Sequence, residues 1–84
     1  MRIEEVRAIL FRLKWWLNDN GEQAAAMKYE DAECKLYEIP AYMCREYADM
    51  LIPRRMLRAH IALHSRVHAR AMILLLWLLR NVSE

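Results

Sequence analysis

The chain has 84 residues, a net charge of +2 and 57% hydrophobic residues, a size that holds one domain with one small core. Its one Gly, two Pro, two Ser and lack of Thr leave little material for sheets or long loops, which excludes most β-rich folds. We therefore expect a single all-α domain over residues 1–84. So skewed a helix-forming composition also favours a designed or laboratory-evolved (de novo) protein.

The first predicted helix covers residues 2–18. Its apolar residues recur at steps of three and four, which places them on one helical face. They are Ile3, Val6, Ile9, Leu10, Leu13, Trp16 and Leu17. Gly21 follows and can adopt the left-handed conformation that ends a helix or forms a turn.

The second predicted helix covers residues 22–51 and contains Pro40. Proline lacks an N–H and clashes with the carbonyl four residues earlier, so a kink or a break is expected there. Because the apolar residues keep one phase across Pro40, we favour one continuous, kinked helix. The alternative is a break at Pro40, which would give four helices and let the second segment fold back and cover itself.

The third predicted helix covers residues 53–82, with Pro53 in its first turn. Its inward apolar line includes Ala71, Leu75 and Leu79. The expected fold is thus a three-helix up-down arrangement around a long antiparallel helical hairpin. The first helix, at ~25 Å, is little more than half as long as the other two, so the hairpin tip would be uncovered. The apolar residues left exposed there would include Met43, Tyr47, Leu57 and Ile61. Met43 and Tyr47 are predicted to bind a partner. This predicts a homodimer in which two tips complete a four-helix arrangement.

Three histidines, His60, His64 and His68, follow one another at steps of four on the third helix. Histidines at this spacing can chelate one metal ion, and His64 and His68 lie in the middle of the apolar stripe. They are therefore predicted as metal or haem ligands, and a single histidine there could instead act as a catalytic base.

Two ligands do not complete a metal site, so a third would have to come from Cys44, Glu46 or Tyr47, or from a symmetry mate. In the register of the hairpin, His68 would lie near residue 36. The structural alternative is a neutral, buried His68 that donates a hydrogen bond to the carbonyl of Leu36, which Pro40 leaves free.

Phe11 and Trp15 are spaced four apart and point away from the core line of the first helix, and Trp77 lies off the inward line of the third. Outward aromatics at helical spacing are typical of binding surfaces, so Phe11 and Trp15 are predicted to bind a partner. The arginines of the third helix have a simpler interpretation as a solvated face that pairs with the acidic second helix, which makes nucleic acid an unexpected partner.

The apolar run at residues 71–79 is too short for a membrane span, which needs about 20 residues. Cys34 and Cys44, ten residues apart, are too distant on one helix for a disulfide, and free thiols fit the cytoplasm. The leading hypothesis is a self-associating helical scaffold that acts as a protein-binding module. The competing hypothesis is a pocket or metal-site protein that uses His64 and His68, as a designed catalyst would. No substrate or cofactor follows from the sequence, and whether the chain is an enzyme stays open.

Overall fold

A computed structural model of the chain describes residues 1–83, and over that range the protein is all-α, as the composition predicts. The α-helices are α1 (Ile3–Asp19), α2 (Gln23–Lys35), α3 (Cys44–Leu51), α4 (Leu57–Leu63) and α5 (Arg66–Arg80). Single turns of 3-10 helix at Ala41–Met43 and Arg54–Met56 precede α3 and α4. No helix in this range is long and apolar enough to cross a membrane.

The first two helices pack against each other in the expected up-down arrangement. Gly21, with φ of +79°, makes the reversal between them, as the sequence predicts. The inner face of α1 is fully buried at Val6, Leu10 and Leu17, and α2 packs small side chains such as Ala32 against it. This close pairing is the base on which the other helices pack.

The second predicted helix is broken, so the prediction of a continuous, kinked helix is wrong and the alternative is confirmed. The α-helix ends at Lys35, and the next residues close it with tighter hydrogen bonds from Tyr37 to Cys34 and from Glu38 to Lys35. Pro40 itself is extended, with ψ of 158°. The apolar phase survives the break because α2 and α3 both turn their apolar side toward the same core.

The break folds α3 back against α5. Asp49 on α3 and Arg80 on α5 form an ion pair with an N–O distance of 2.7 Å, and Arg45 donates to the Arg80 carbonyl at 3.3 Å. The longest dimension of the fold is 32 Å, shorter than the ~45 Å of a 30-residue helix. The uncovered hairpin tip is therefore absent, and Leu57 and Ile61, predicted to be bare, pack half-buried against the core.

The third predicted helix is also divided, at His64 and Ser65, which the sequence analysis did not anticipate. His64 is extended, with ψ of 162°, and Ser65 is the N-cap of α5. The Ser65 hydroxyl oxygen accepts a hydrogen bond from the His68 backbone N–H at 3.1 Å, and the hydroxyl donates to the Glu22 carboxylate. Serine competes well for this capping position, which gives α5 a separate start and a new direction.

The last helix, α5, runs antiparallel to α1, and the Ser83 N–H donates to the Met1 carbonyl at 2.8 Å. Its inner face buries Ala71, Leu75 and Leu79, as predicted, together with Met72 and Leu78. One core thus lies between α1, α2 and α5, with α3 closing its end.

Candidate functional site

All three histidines border one cavity of about 170 Å³, formed where α2, the end of α3, α4 and α5 meet. Its floor consists of buried, mostly apolar side chains: Tyr29, Ala32, Ile52, Met72 and Leu75. Its mouth is formed by more exposed ones: Lys28, Leu51, His60, His64 and His68. The spacing of the three histidines predicts that they cluster, and the structure brings them together over an apolar floor.

The division between α4 and α5 determines how the imidazoles sit. Successive positions on one helix face are about 6 Å apart, and the ring centroids of His60 and His64 keep that spacing at 6.4 Å, with a 27° interplanar angle. His64 and His68 are closer, with centroids 4.1 Å apart and rings tilted by 44°. His68 also meets the Tyr29 ring edge-on at 6.1 Å.

Burial and neighbouring charges disfavour protonation of His68. The pKa of His68 is lowered, first by loss of water around the ring and then by His64 beside it. Lys28 lowers the same pKa further, whereas the Glu22 carboxylate opposes these effects. Burial raises the pKa of the Tyr29 phenol, which therefore keeps its proton. The cavity thus offers three imidazoles and an intact phenol beside the Lys28 ammonium.

The metal interpretation of His64 and His68 stays a prediction with two ligands. Within residues 1–83, no three His, Cys, Asp or Glu side chains are grouped so as to hold a metal ion. The predicted third ligands, Cys44, Glu46 and Tyr47, do not line the cavity, because the break before Pro40 changes the register of α3.

The same change of register excludes the predicted hydrogen bond from His68 to the Leu36 carbonyl. That carbonyl accepts a hydrogen bond from the Arg7 guanidinium at 3.5 Å. His68 lies instead beside Tyr29, Glu22 and His64. The prediction that His68 donates a hydrogen bond to the Leu36 carbonyl is therefore wrong.

A second feature is the set of large apolar side chains exposed on α1 and α5, here called the aromatic face. Its members are Phe11, Trp15, Trp16, Ile73, Leu74 and Trp77. Phe11 and Trp15 border grooves on the α2 side of α1, whereas Trp16 lies on its α5 side. All three tryptophans of the protein belong to it and are 39–53% exposed. Trp16 and Leu74 border one groove of about 250 Å³ between the two helices, with Leu13, Arg70 and Ala71 as its other walls.

The α1 part of this face is held in place by Lys14. The Phe11 and Trp15 rings meet edge-on with centroids 6.5 Å apart, and the Lys14 ammonium lies 4.6 Å from the first ring and 5.5 Å from the second. The same ammonium lies 3.7 Å from Glu30 and 3.8 Å from Glu33 on α2. These contacts fix the aromatic rings on the surface before any partner binds.

The four predicted partner-binding residues do not form one surface. Phe11 and Trp15 are exposed on α1, as predicted. Tyr47 is half-buried against the core, and burial followed by the charge of Asp31 raises the pKa of its phenol. Met43 lies in the 3-10 turn before α3 and is exposed. The break before Pro40 moves both residues away from a common tip.

Sequence reasoning missed several residues of both sites. Trp16 was assigned to the core line of the first helix, yet it borders the groove between α1 and α5 and is 39% exposed. Lys28 and Tyr29 were not connected with the histidines, because that connection requires the break at Ser65. A serine between two apolar stretches was the available signal for an N-cap at that point.

Comparison of the chain with protein-family models, with curated proteins and with solved structures gives no match.

Proposed function

We propose that the protein is a self-associating, protein-binding helical module, and that its aromatic face binds the same face of a second copy. The observation that carries this proposal is the exposure of all three tryptophans, Trp15 and Trp16 on α1 and Trp77 on α5. Tryptophan is rich in apolar surface and is enriched at binding hot spots. Its exposure in a small domain with a thin margin of stability favours a role in binding.

The area of the aromatic face suits such an interface. A fully buried aromatic side chain removes about 150–250 Å² from water, so each half-exposed ring presents roughly 100 Å². The six side chains together therefore present roughly 500 Å² of apolar surface. With a polar rim this approaches the ~800 Å² per partner of a standard protein interface.

A second copy is favoured as the partner because the aromatic face has both exposed aromatic rings and neighbouring arginines that can pack on them. A two-fold interface uses the same surface twice, so it has to be complementary to itself. Arg12 lies beside Phe11, and Arg70 lies beside Trp16. Arginine side chains stack well on indole rings, so an arginine of one copy can cover a tryptophan of the other. Two antiparallel α1–α5 pairs would thereby form a four-helix arrangement.

Size-exclusion chromatography with light scattering tests the proposal. The chain has a mass of 10.1 kDa, so a dimer has a mass of about 20 kDa, which we expect at concentrations of roughly 0.1 mM. Trp16→Ser and Trp77→Ser should each weaken the dimer by tenfold or more, because each removes an apolar anchor.

Tyr42→Ser is the matched control, because Tyr42 is an aromatic residue that is 81% exposed outside the aromatic face. It should leave the dimer unchanged. A protein that stays monomeric at ~1 mM would refute self-association, and so would equal weakening by the control variant.

A further inference from the structure

The histidine-lined cavity has the size of a small-molecule site. Its volume of about 170 Å³ is close to the ~150 Å³ of apolar protein cavities that take up benzene. The floor is provided by buried side chains such as Ala32, Ile52 and Leu75, and the mouth is open to solvent beside Lys28. A single ring or a short hydrocarbon chain would fill this floor without displacing the helices.

The polar groups of the cavity all favour one kind of ligand group. They are three imidazoles, one phenol and one ammonium, and each of them can donate a hydrogen bond. Among residues 1–83, no carboxylate lines the cavity. Glu22, whose charge acts on His68, lies outside the lining and accepts the hydrogen bond of the Ser65 hydroxyl. An oxyanion placed at the mouth would therefore meet several donors among the lining side chains.

We propose that this cavity binds a small monocarboxylate with an apolar body, with the body on the floor and the carboxylate between Lys28 and the histidines. The apolar floor disfavours a second charged group, because an unpaired charge there would lose its water. The ammonium of Lys28 disfavours a cationic ligand. An uncharged ligand of the same shape would leave the donors at the mouth without a charged partner. None of the lining residues belongs to the aromatic face, so this proposal stands independently of self-association.

Benzoate, benzyl alcohol and acetate are suitable probes, because they separate the ring from the carboxylate. Binding is measured by isothermal titration calorimetry and by the shifts of the imidazole signals in NMR spectra. We expect benzoate to bind with a Kd of about 1 mM or below, and the other two at least tenfold more weakly. Equal binding of benzoate and benzyl alcohol would overturn the proposal, because it would show that the carboxylate is not recognised.

Variants of the mouth locate the binding. Lys28→Gln and His64→Gln should each weaken benzoate binding fivefold or more, with little change in melting temperature because neither side chain is buried. Lys35→Gln is the matched control, since Lys35 lies on the same helix but pairs with Glu38 and does not line the cavity. It should leave benzoate binding unchanged.

Two further outcomes would overturn the assignment. One is benzoate binding that survives in the Lys28→Gln/His64→Gln double variant. The other is perturbation of the imidazole signals by micromolar zinc chloride when benzoate has no effect, because that result would make the cavity a metal site.

Discussion

Ser65→Ala removes the group that separates α4 from α5. The Ser65 hydroxyl caps α5 through the His68 N–H and also bonds to Glu22 at the start of α2. Loss of an N-cap serine costs about 1 kcal/mol, and loss of one exposed hydrogen bond to a carboxylate adds about 0.5 kcal/mol. We therefore expect the free energy of unfolding to fall by about 1.5 kcal/mol. In a domain of this size that lowers the melting temperature by about 6–12 °C.

The assay is urea denaturation followed by far-UV circular dichroism, with two comparison variants. Ser65→Thr keeps a hydroxyl at the cap and should stay within about 0.5 kcal/mol of wild type. Glu22→Ala removes only the hydrogen bond from the Ser65 hydroxyl to Glu22 and should lower the free energy of unfolding by about 0.5 kcal/mol. An unchanged stability of Ser65→Ala together with a stronger helix signal at 222 nm would refute the reasoning. That result would mean that residues 53–82 readily form the continuous helix predicted from the sequence.

Two other expectations follow from the titratable groups. The pKa of His68 in the folded chain lies below its value of 6.5 in the unfolded chain, so protons bind the unfolded state more readily. The free energy of unfolding should therefore fall as the pH drops below 6.5, which thermal melts between pH 7.5 and 5 would measure. A His68→Gln variant whose stability declines just as steeply would contradict this cause. Cys34 is exposed, whereas Cys44 is buried and that burial raises the pKa of its thiol. Ellman's reagent should therefore react rapidly with one thiol in the native protein and with two in guanidinium chloride. Two rapidly reacting thiols in the native state would contradict the burial of Cys44.

The parts of the fold predicted from sequence are those that local patterns determine. The apolar spacing of α1 and the conformational freedom of Gly21 depend only on nearby residues, and both predictions are confirmed. The inner face of α5 is likewise evident from its spacing. The parts predicted from sequence are thus the α1–α2 pair with its turn at Gly21 and the inner face of α5.

The predictions that failed concern continuity of the long helices. An unbroken apolar phase across Pro40 is compatible with one kinked helix and also with two helices sharing a core. Only packing of α3 on α5, including the Asp49–Arg80 pair, decides between them. At Ser65, continuation of the helix competes with an N-cap whose hydroxyl also bonds to Glu22, a residue 43 positions away. Such a distant partner cannot be inferred from periodicity.

The candidate sites show the same limit. The histidine ladder was evident from its spacing, and Phe11 and Trp15 were evident as outward aromatics. The donors that complete the cavity, Lys28 and Tyr29, come from α2 and meet the histidines only after the chain has turned at Ser65. Site residues on one helix were thus predictable, and those contributed by another helix were not.

The exposure of every tryptophan has a consequence for spectroscopy of this protein. Indole emission shifts to longer wavelength when water surrounds the ring, and here the rings are already half in water in the folded chain. Intrinsic fluorescence should therefore respond weakly to unfolding of an isolated chain. It should respond strongly when another molecule covers the rings. The wavelength of maximum emission therefore reports binding to α1 and α5.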